Sequence, residues 1–207
     1  MGYSTYLYAN EALMTEEQQL AFIELLEPVY QRLWRFALAT TRDVVDAQDL
    51  LSESVLEAYE RFDSLRDRKA FASFLFTIAT RIQRHKERRA KWFGPYNETA
   101  ASELASEAQS PEVSAEIRVL FDALDHLPTK EREAVVLFEL SGFSLEEIRE
   151  IQSGTLSGVK SRLRRGRMRL ATLLGVDEPE ASIERRLRVD SRAQLRLGIS
   201  FANRVEG

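Results

Sequence analysis

The stretch Leu127–Leu170, LPTKEREAVVLFELSGFSLEEIREIQSGTLSGVKSRLRRGRMRL, decides how this chain is read. Ser144-Leu145-Glu146-Glu147 is a capping box, in which a serine hydroxyl and a glutamate three residues on satisfy free N–H groups at a helix start. Gly142 ends the helix before it. Helices are expected at about Leu145–Gln152 and Leu156–Leu174, with Gln152–Gly158 turning between them. The second is loaded with cations. Lys160, Arg162, Arg164, Arg165, Arg167 and Arg169 fall within eleven residues, 160–170, that contain no acid. Such a helix repels itself unless a polyanion or a partner neutralises it, and duplex DNA is the commonest polyanion. The stretch reads as a helix-turn-helix on DNA, set against the plainer reading of a solvated arginine-rich surface helix.

Working back along the chain, helical punctuation recurs. Thr15-Glu16-Glu17-Gln18 is another capping box, after which apolar residues repeat at Phe22, Leu25, Leu26, Val29, Leu33, Phe36 and Ala37. Val45, Leu50, Leu51, Val55, Leu56 and Tyr59 line one face of a second helix, and Phe71, Phe74, Leu75, Ile78, Ala79 and Ile82 form a third stripe. These make one helical unit over 15–91, preceded by an N-terminal arm, 1–14. Gly94-Pro95 breaks the pattern, and the alanine-, serine- and glutamate-rich residues that follow have little to bury. They read as a linker over 92–112. Ser110-Pro111 resembles a helix cap with proline at the first position, so further helices are expected at about Pro111–Asp125 and Lys130–Ser141. The fold class is therefore all-α: two small helical domains, 15–91 and 113–174, joined by a flexible acidic linker. A C-terminal extension, 175–207, closes the chain. Within it Leu195, Leu197, Ile199 and Phe201 alternate with polar residues, the period of a short strand or an extended docking segment, or simply part of a disordered tail.

The length, 207 residues, suits two compact units. Hydrophobic content of 44% with 30% charged residues is that of a folded globular protein. A net charge of −4 does not by itself suggest nucleic acid, but the charges are segregated. Arg81 to Lys91 is basic, 92–117 holds five glutamates with no lysine or arginine, and Lys160 onward is basic again. The absence of cysteine excludes disulfides, thiolate metal sites and cysteine catalysis. His85 and His126 read as ordinary surface residues, so no metal or other cofactor is expected. No paired-carboxylate pocket, phosphate loop or nucleophile–base set stands out, and an enzyme is not expected. No apolar run approaches the roughly 20 residues that span a bilayer, and the N-terminus lacks a signal-peptide pattern. A cytoplasmic protein without membrane insertion is the expectation.

Four motifs in order resemble one family. Asp46-Ala47-Gln48-Asp49-Leu50-Leu51-Ser52-Glu53-Ser54-Val55-Leu56 is similar to the core-polymerase-binding helix of bacterial extracytoplasmic-function (ECF) sigma factors. Phe71-Ala72-Ser73-Phe74-Leu75-Phe76-Thr77-Ile78-Ala79-Thr80-Arg81 resembles their promoter-melting helix. Leu127 to Val135 and Val159-Lys160-Ser161-Arg162-Leu163 resemble the opening and the recognition helix of their fourth region. The match spans about Thr15 to Leu174, and its strength lies in the ordered set.

The resemblance implies a transcription initiation factor whose partners are the clamp and flap of core RNA polymerase and promoter DNA. Asp46, Asp49, Leu50, Glu53 and Leu56 would bind the clamp; the three acids share one helical face through spacings of three and four. Ser64, Arg66, Arg68 and Lys69 would belong to the loop that captures a base flipped from the minus-ten element, with Arg81, Arg84, His85 and Arg88 on the parted strand. Phe71, Phe74 and Phe76 are read mainly as core. Ser157, Lys160, Ser161, Arg164 and Arg165 would contact the minus-thirty-five element. Glu98, Glu103, Glu107 and Glu112 of the linker would thread the polymerase cleft.

Three departures stand out. Gln48 replaces a customary glutamate; Arg149 stands where a small residue lets two helices approach; and the turn glycine is displaced to Gly154, with Gly158 in place of a threonine. A late start of the recognition helix, capped by Thr155 or Ser157, is expected. The departures open a second reading, a sigma-like adaptor with relaxed promoter reading. It would be recruited to DNA, or held inactive, by a recruiting protein or an anti-sigma factor acting through the C-terminal extension.

Overall fold

The computed structural model describes residues 15–41, 43–93 and 115–175. The N-terminal arm, the Ser110-Pro111 cap, nearly all of the linker and the alternating segment 193–205 lie outside the described residues. Among the described residues seven α-helices follow one another: α1 Glu16–Thr40, α2 Val44–Glu60, α3 Phe71–Phe93, α4 Ala115–Asp125, α5 Thr129–Val135, α6 Leu145–Gln152 and α7 Leu156–Leu173. Two 3₁₀ turns, Phe62–Ser64 and Arg68–Ala70, join α2 to α3, and a π-helical turn, Val136–Leu140, prolongs α5.

Helix starts fall where side-chain oxygens can accept N–H groups. Thr15 and Ser144 each close a reciprocal capping box, Asp43 accepts from Asp46 N–H, and Thr155 accepts from Gly158 N–H at 3.1 Å. Gly142, at φ +69°, lets the chain leave the π turn.

In the first unit, Leu33, Phe36, Leu50, Leu75 and Phe76 are fully buried where α1, α2 and α3 meet. At one end Phe22 packs edge-on against Tyr59, Phe62 and Phe71, with centroids 5.3, 5.3 and 5.5 Å away. In the second unit Leu124, Leu137, Ile148 and Leu163 fill the space among α4 to α7. Gly166 marks the crossing of α7 over α5, because a Cβ there would stand 2.7 Å from Val135 Cγ2 and 3.1 Å from the Glu131 carbonyl oxygen.

The two units pack directly on each other. Phe76 of α3 meets Phe143, just before α6, edge-on at 4.6 Å. Arg32 of α1 donates from Nε to the Ser141 carbonyl at 2.7 Å, with its guanidinium 4.5 Å from the Phe143 ring centre. Burial holds the Arg32 pKa below the ordinary arginine value. Glu87 of α3 accepts from Thr129 Oγ1 at 2.5 Å and also pairs with Arg132. The strongest polar link is the fork of Arg84 on Glu133, with Nε to Oε1 at 2.7 Å and Nη2 to Oε2 at 2.5 Å.

Candidate nucleic-acid interface

The acidic face of α2 is formed as the spacing requires. Asp46, Asp49 and Glu53 are exposed, and Leu56 is exposed beside them. Leu50 is different: it is fully buried and secures α2 to the core, so its side chain cannot meet a partner. Two ion pairs tie this helix to α3. Glu53 meets Lys86 Nζ at 2.8 Å, and Glu57 binds both Arg61, at 2.9 Å, and Arg81. Burial works to raise the Glu57 pKa, but hydrogen bonds from Arg61 and Arg81 outweigh it and hold the carboxyl below its ordinary value.

Between α2 and α3 the chain presents Ser64, Arg66, Arg68 and Lys69, all exposed. The loop is shaped rather than loose. Asp67 Oδ1 accepts from Lys69 N–H at 2.9 Å, Gln18 donates to Asp63 at 2.6 Å, and the Arg68 guanidinium lies 5.1 Å from the Phe62 ring. Arg81, His85 and Arg88 continue as an exposed stripe along α3. Arg84, which belongs to that stripe by sequence, turns away to Glu133; hydrogen bonding to that carboxylate raises its pKa. Phe71 and Phe76 are buried and Phe74 is partly buried, the core role expected of them.

On α7, Thr155 caps the helix at Leu156, and Ser157, Lys160 and Ser161 are exposed in its first turns, with Arg164 half-buried. Much of the cation cluster is neutralised within the chain. Arg165 and Arg169 reach Glu131 at 2.9 and 3.2 Å, and Arg167 Nε donates to Glu139 at 2.6 Å with its guanidinium 5.0 Å from the Phe138 ring. Arg162 donates to Gln152 Oε1 at 2.8 Å. Self-repulsion along α7 is thus relieved in part by acids of α5 and the π turn, and the surface left for a polyanion narrows to the helix start.

Residues 25–93 match the family described as Sigma-70 region 2, and residues 117–170 match Sigma-70, region 4. The chain is 33% identical over 150 residues to the ECF RNA polymerase sigma factor EcfG of Rhodopseudomonas palustris, an alignment covering 70% of this chain and 80% of that one. To SigM of Mycobacterium tuberculosis it is 31% identical over 166 residues, covering 80% and 83%. The chain belongs to the ECF RNA polymerase sigma factors. Among solved structures it resembles the sigma factor RpoE of Bartonella quintana in complex with the anti-sigma factor NepR. That likeness has a TM-score of 0.61 and 26% identity, over 76% of this chain and 98% of that one. CnrH in complex with the cytosolic domain of CnrY shares the fold, with a TM-score of 0.57 and 24% identity over 77% and 91%.

This sigma factor is an initiation factor that binds core RNA polymerase and directs it to promoter DNA. No helix among its described residues is long and apolar enough to cross a membrane. Its departures from the family pattern have local explanations in the structure. Arg149 pairs with Glu146 at 2.8 Å and Glu150 at 3.4 Å on its own helix, leaving burial in α6 to Ile148, Ile151 and Gln152. Gln48 is exposed. Ser153, where the turn glycine is displaced, takes φ +54°, a conformation that favours glycine. Sequence reasoning missed the buried charges Glu131, Arg132 and Glu133, which lie inside the quoted motif. The signal was present in Gly166, an unexplained glycine inside a helix, which announces the close approach of α7 to the helix carrying those charges.

Proposed function

We propose that the sigma factor divides its work among three surfaces. The α2 face of Asp46, Asp49, Glu53 and Leu56 docks on the polymerase clamp. The loop of Ser64, Arg66, Arg68 and Lys69, with Arg81, His85 and Arg88 of α3, holds the parted minus-ten strand, and Arg84 joins them only when its fork with Glu133 opens. The start of α7, through Ser157, Lys160, Ser161 and Arg164, reads the minus-thirty-five element, while Arg165 stays with Glu131. Residues that reach bases specify sequence while those on phosphate position the protein. The observation that carries this reading is the capped start of α7, where Ser157, Lys160 and Ser161 are exposed, while three cations further along, Arg165, Arg167 and Arg169, are held by glutamates of α5 and the π turn. Such a protein works where the polymerase is, in the cytoplasm.

The clamp assignment is tested by Asp49→Lys with Glu53→Lys. Facing cations then repel across a few ångströms, worth about 4 kcal/mol per pair near a protein surface, and the double variant should fail to co-purify with core polymerase. Unchanged co-purification removes α2 from the clamp.

A second reading is favoured by one observation, the packing of the two units on each other. A chain closed through Arg84 and Glu133, and similar in fold to a sigma factor solved with its anti-sigma factor, suits an inactive form that a partner protein could hold.

A further inference from the structure

We infer that Arg162 is a positioning residue for promoter reading: its guanidinium, seated over Gly154 and Gly158, fixes how α7 leaves the turn, and it does not itself touch DNA. The inference rests on the reading of α7 as the minus-thirty-five reader. Its observations concern a different set of atoms.

Arg162 leans back towards the start of its helix, as long helical side chains do. It reaches Gln152, the last residue of α6 and almost wholly buried. The Gln152 amide nitrogen donates in turn to the Lys130 carbonyl and to Glu133 Oε2, each at 3.0 Å. One side chain of the reading helix is thereby tied through α6 to α5, across the turn that sets the angle between the two helices. Arg162 Nη2 is enclosed and has no hydrogen-bond partner, so that face of the guanidinium is turned into the protein and away from a phosphate.

The two irregular glycines make the room. A Cβ at Gly158 would stand 3.3 Å from Arg162 Nη1 and 3.2 Å from Thr155 Oγ1, closer than side chains ordinarily pack. A Cβ at Gly154 would stand 3.7 Å from Nη2, in plain contact. Threonine at 158 would add two further atoms against the guanidinium and press it off Gln152. Glycine in a helix costs about 1 kcal/mol relative to alanine; here it admits a clamp that alanine or threonine would crowd. The departures that suggest a degraded reader from sequence are, on this geometry, parts of a differently built turn that holds the reader firmly.

The experiment uses the full chain with core polymerase on duplexes randomised at the minus-thirty-five element, comparing wild type, Arg162→Ala, Gly158→Thr and the double variant. Wild type should enrich a defined sequence. Each single variant should lose roughly tenfold in discrimination, equivalent to about 1.4 kcal/mol, with the salt dependence of binding unchanged. The double variant should be no worse than either single, because both remove one arrangement. Gly158→Thr retains every charge and improves helix propensity, so its loss cannot be laid to a missing cation. A drop of about one in the salt slope for Arg162→Ala, with all duplexes weakened alike, would mark a phosphate contact and overturn the inference. Unaltered discrimination in either single variant, or additive losses in the double, would overturn it too. If wild type enriches nothing, α7 is not a promoter reader and the inference falls with that reading. If wild type selects and the variants select equally, only the inference falls.

Discussion

Glu57 shows how a single side chain can be read for both stability and pH response. Its carboxylate joins α2 to α3 through Arg81 and holds Arg61 at the end of α2, and those hydrogen bonds depress its folded-state pKa despite partial burial. A carboxyl that titrates lower folded than unfolded contributes stability above its unfolded value, near 4.5, and that contribution is lost as pH falls through the folded value. We expect Glu57→Gln to be less stable than wild type at pH 7 and to lose less on acidification. Urea midpoints at pH 7, 5 and 3 check this. A constant gap between the two proteins across that range would remove Glu57 from the acid response. Arg84 and Arg165 teach a related lesson. Each was legible as a cation on a DNA-facing helix, but a sequence does not say which cations are already answered by Glu133 or Glu131.

Among elements, α5 and α7 cross closely, and Gly166 permits it. A side chain there must displace Val135 or the Glu131 backbone, in an interior packed as densely as a crystal. Gly166→Leu should therefore cost about 1–3 kcal/mol through overpacking, read as a fall in thermal midpoint, while α2-dependent association with polymerase persists. A midpoint at or above that of wild type would mean that the crossing yields freely. Helix positions and caps were legible because they are local: Thr15 with Gln18 and Ser144 with Glu147 satisfy each other within three residues. The burial of Glu131, Arg132 and Glu133 was not, since a Lys-Glu-Arg-Glu run at a helix start looks solvated until two other helices are laid across it. Leu50 was misplaced for the same reason. It shares a helix with the exposed acids Asp46, Asp49 and Glu53, and the approach of α1 and α3 closes over this leucine.

At the scale of the molecule, closure rests on a few charged contacts around Phe76 and Phe143. Removing one partner of a buried ion pair costs up to about 3–5 kcal/mol, and Glu133 is the more deeply buried partner, 1% exposed against 27% for Arg84. Glu133→Gln should shift the chain towards an open form with a larger radius of gyration by small-angle X-ray scattering; an unchanged radius would place the closure in the apolar contact alone. The minus-ten and minus-thirty-five elements stand about 25 base pairs apart, or roughly 85 Å at 3.4 Å per pair. On the proposed division of surfaces, the two units must part, breaking the contact between Arg84 and Glu133, for each to reach its own element. On that reading only the open fraction is competent, and apparent affinity falls by that fraction. If closure is favoured by about 3 kcal/mol, half-occupancy of polymerase needs about 150 times more sigma factor than the open form alone would require. The Arg84–Glu133 fork then sets a dosage scale: the amount of this protein needed to load polymerase rises in proportion to the ratio of closed to open chains.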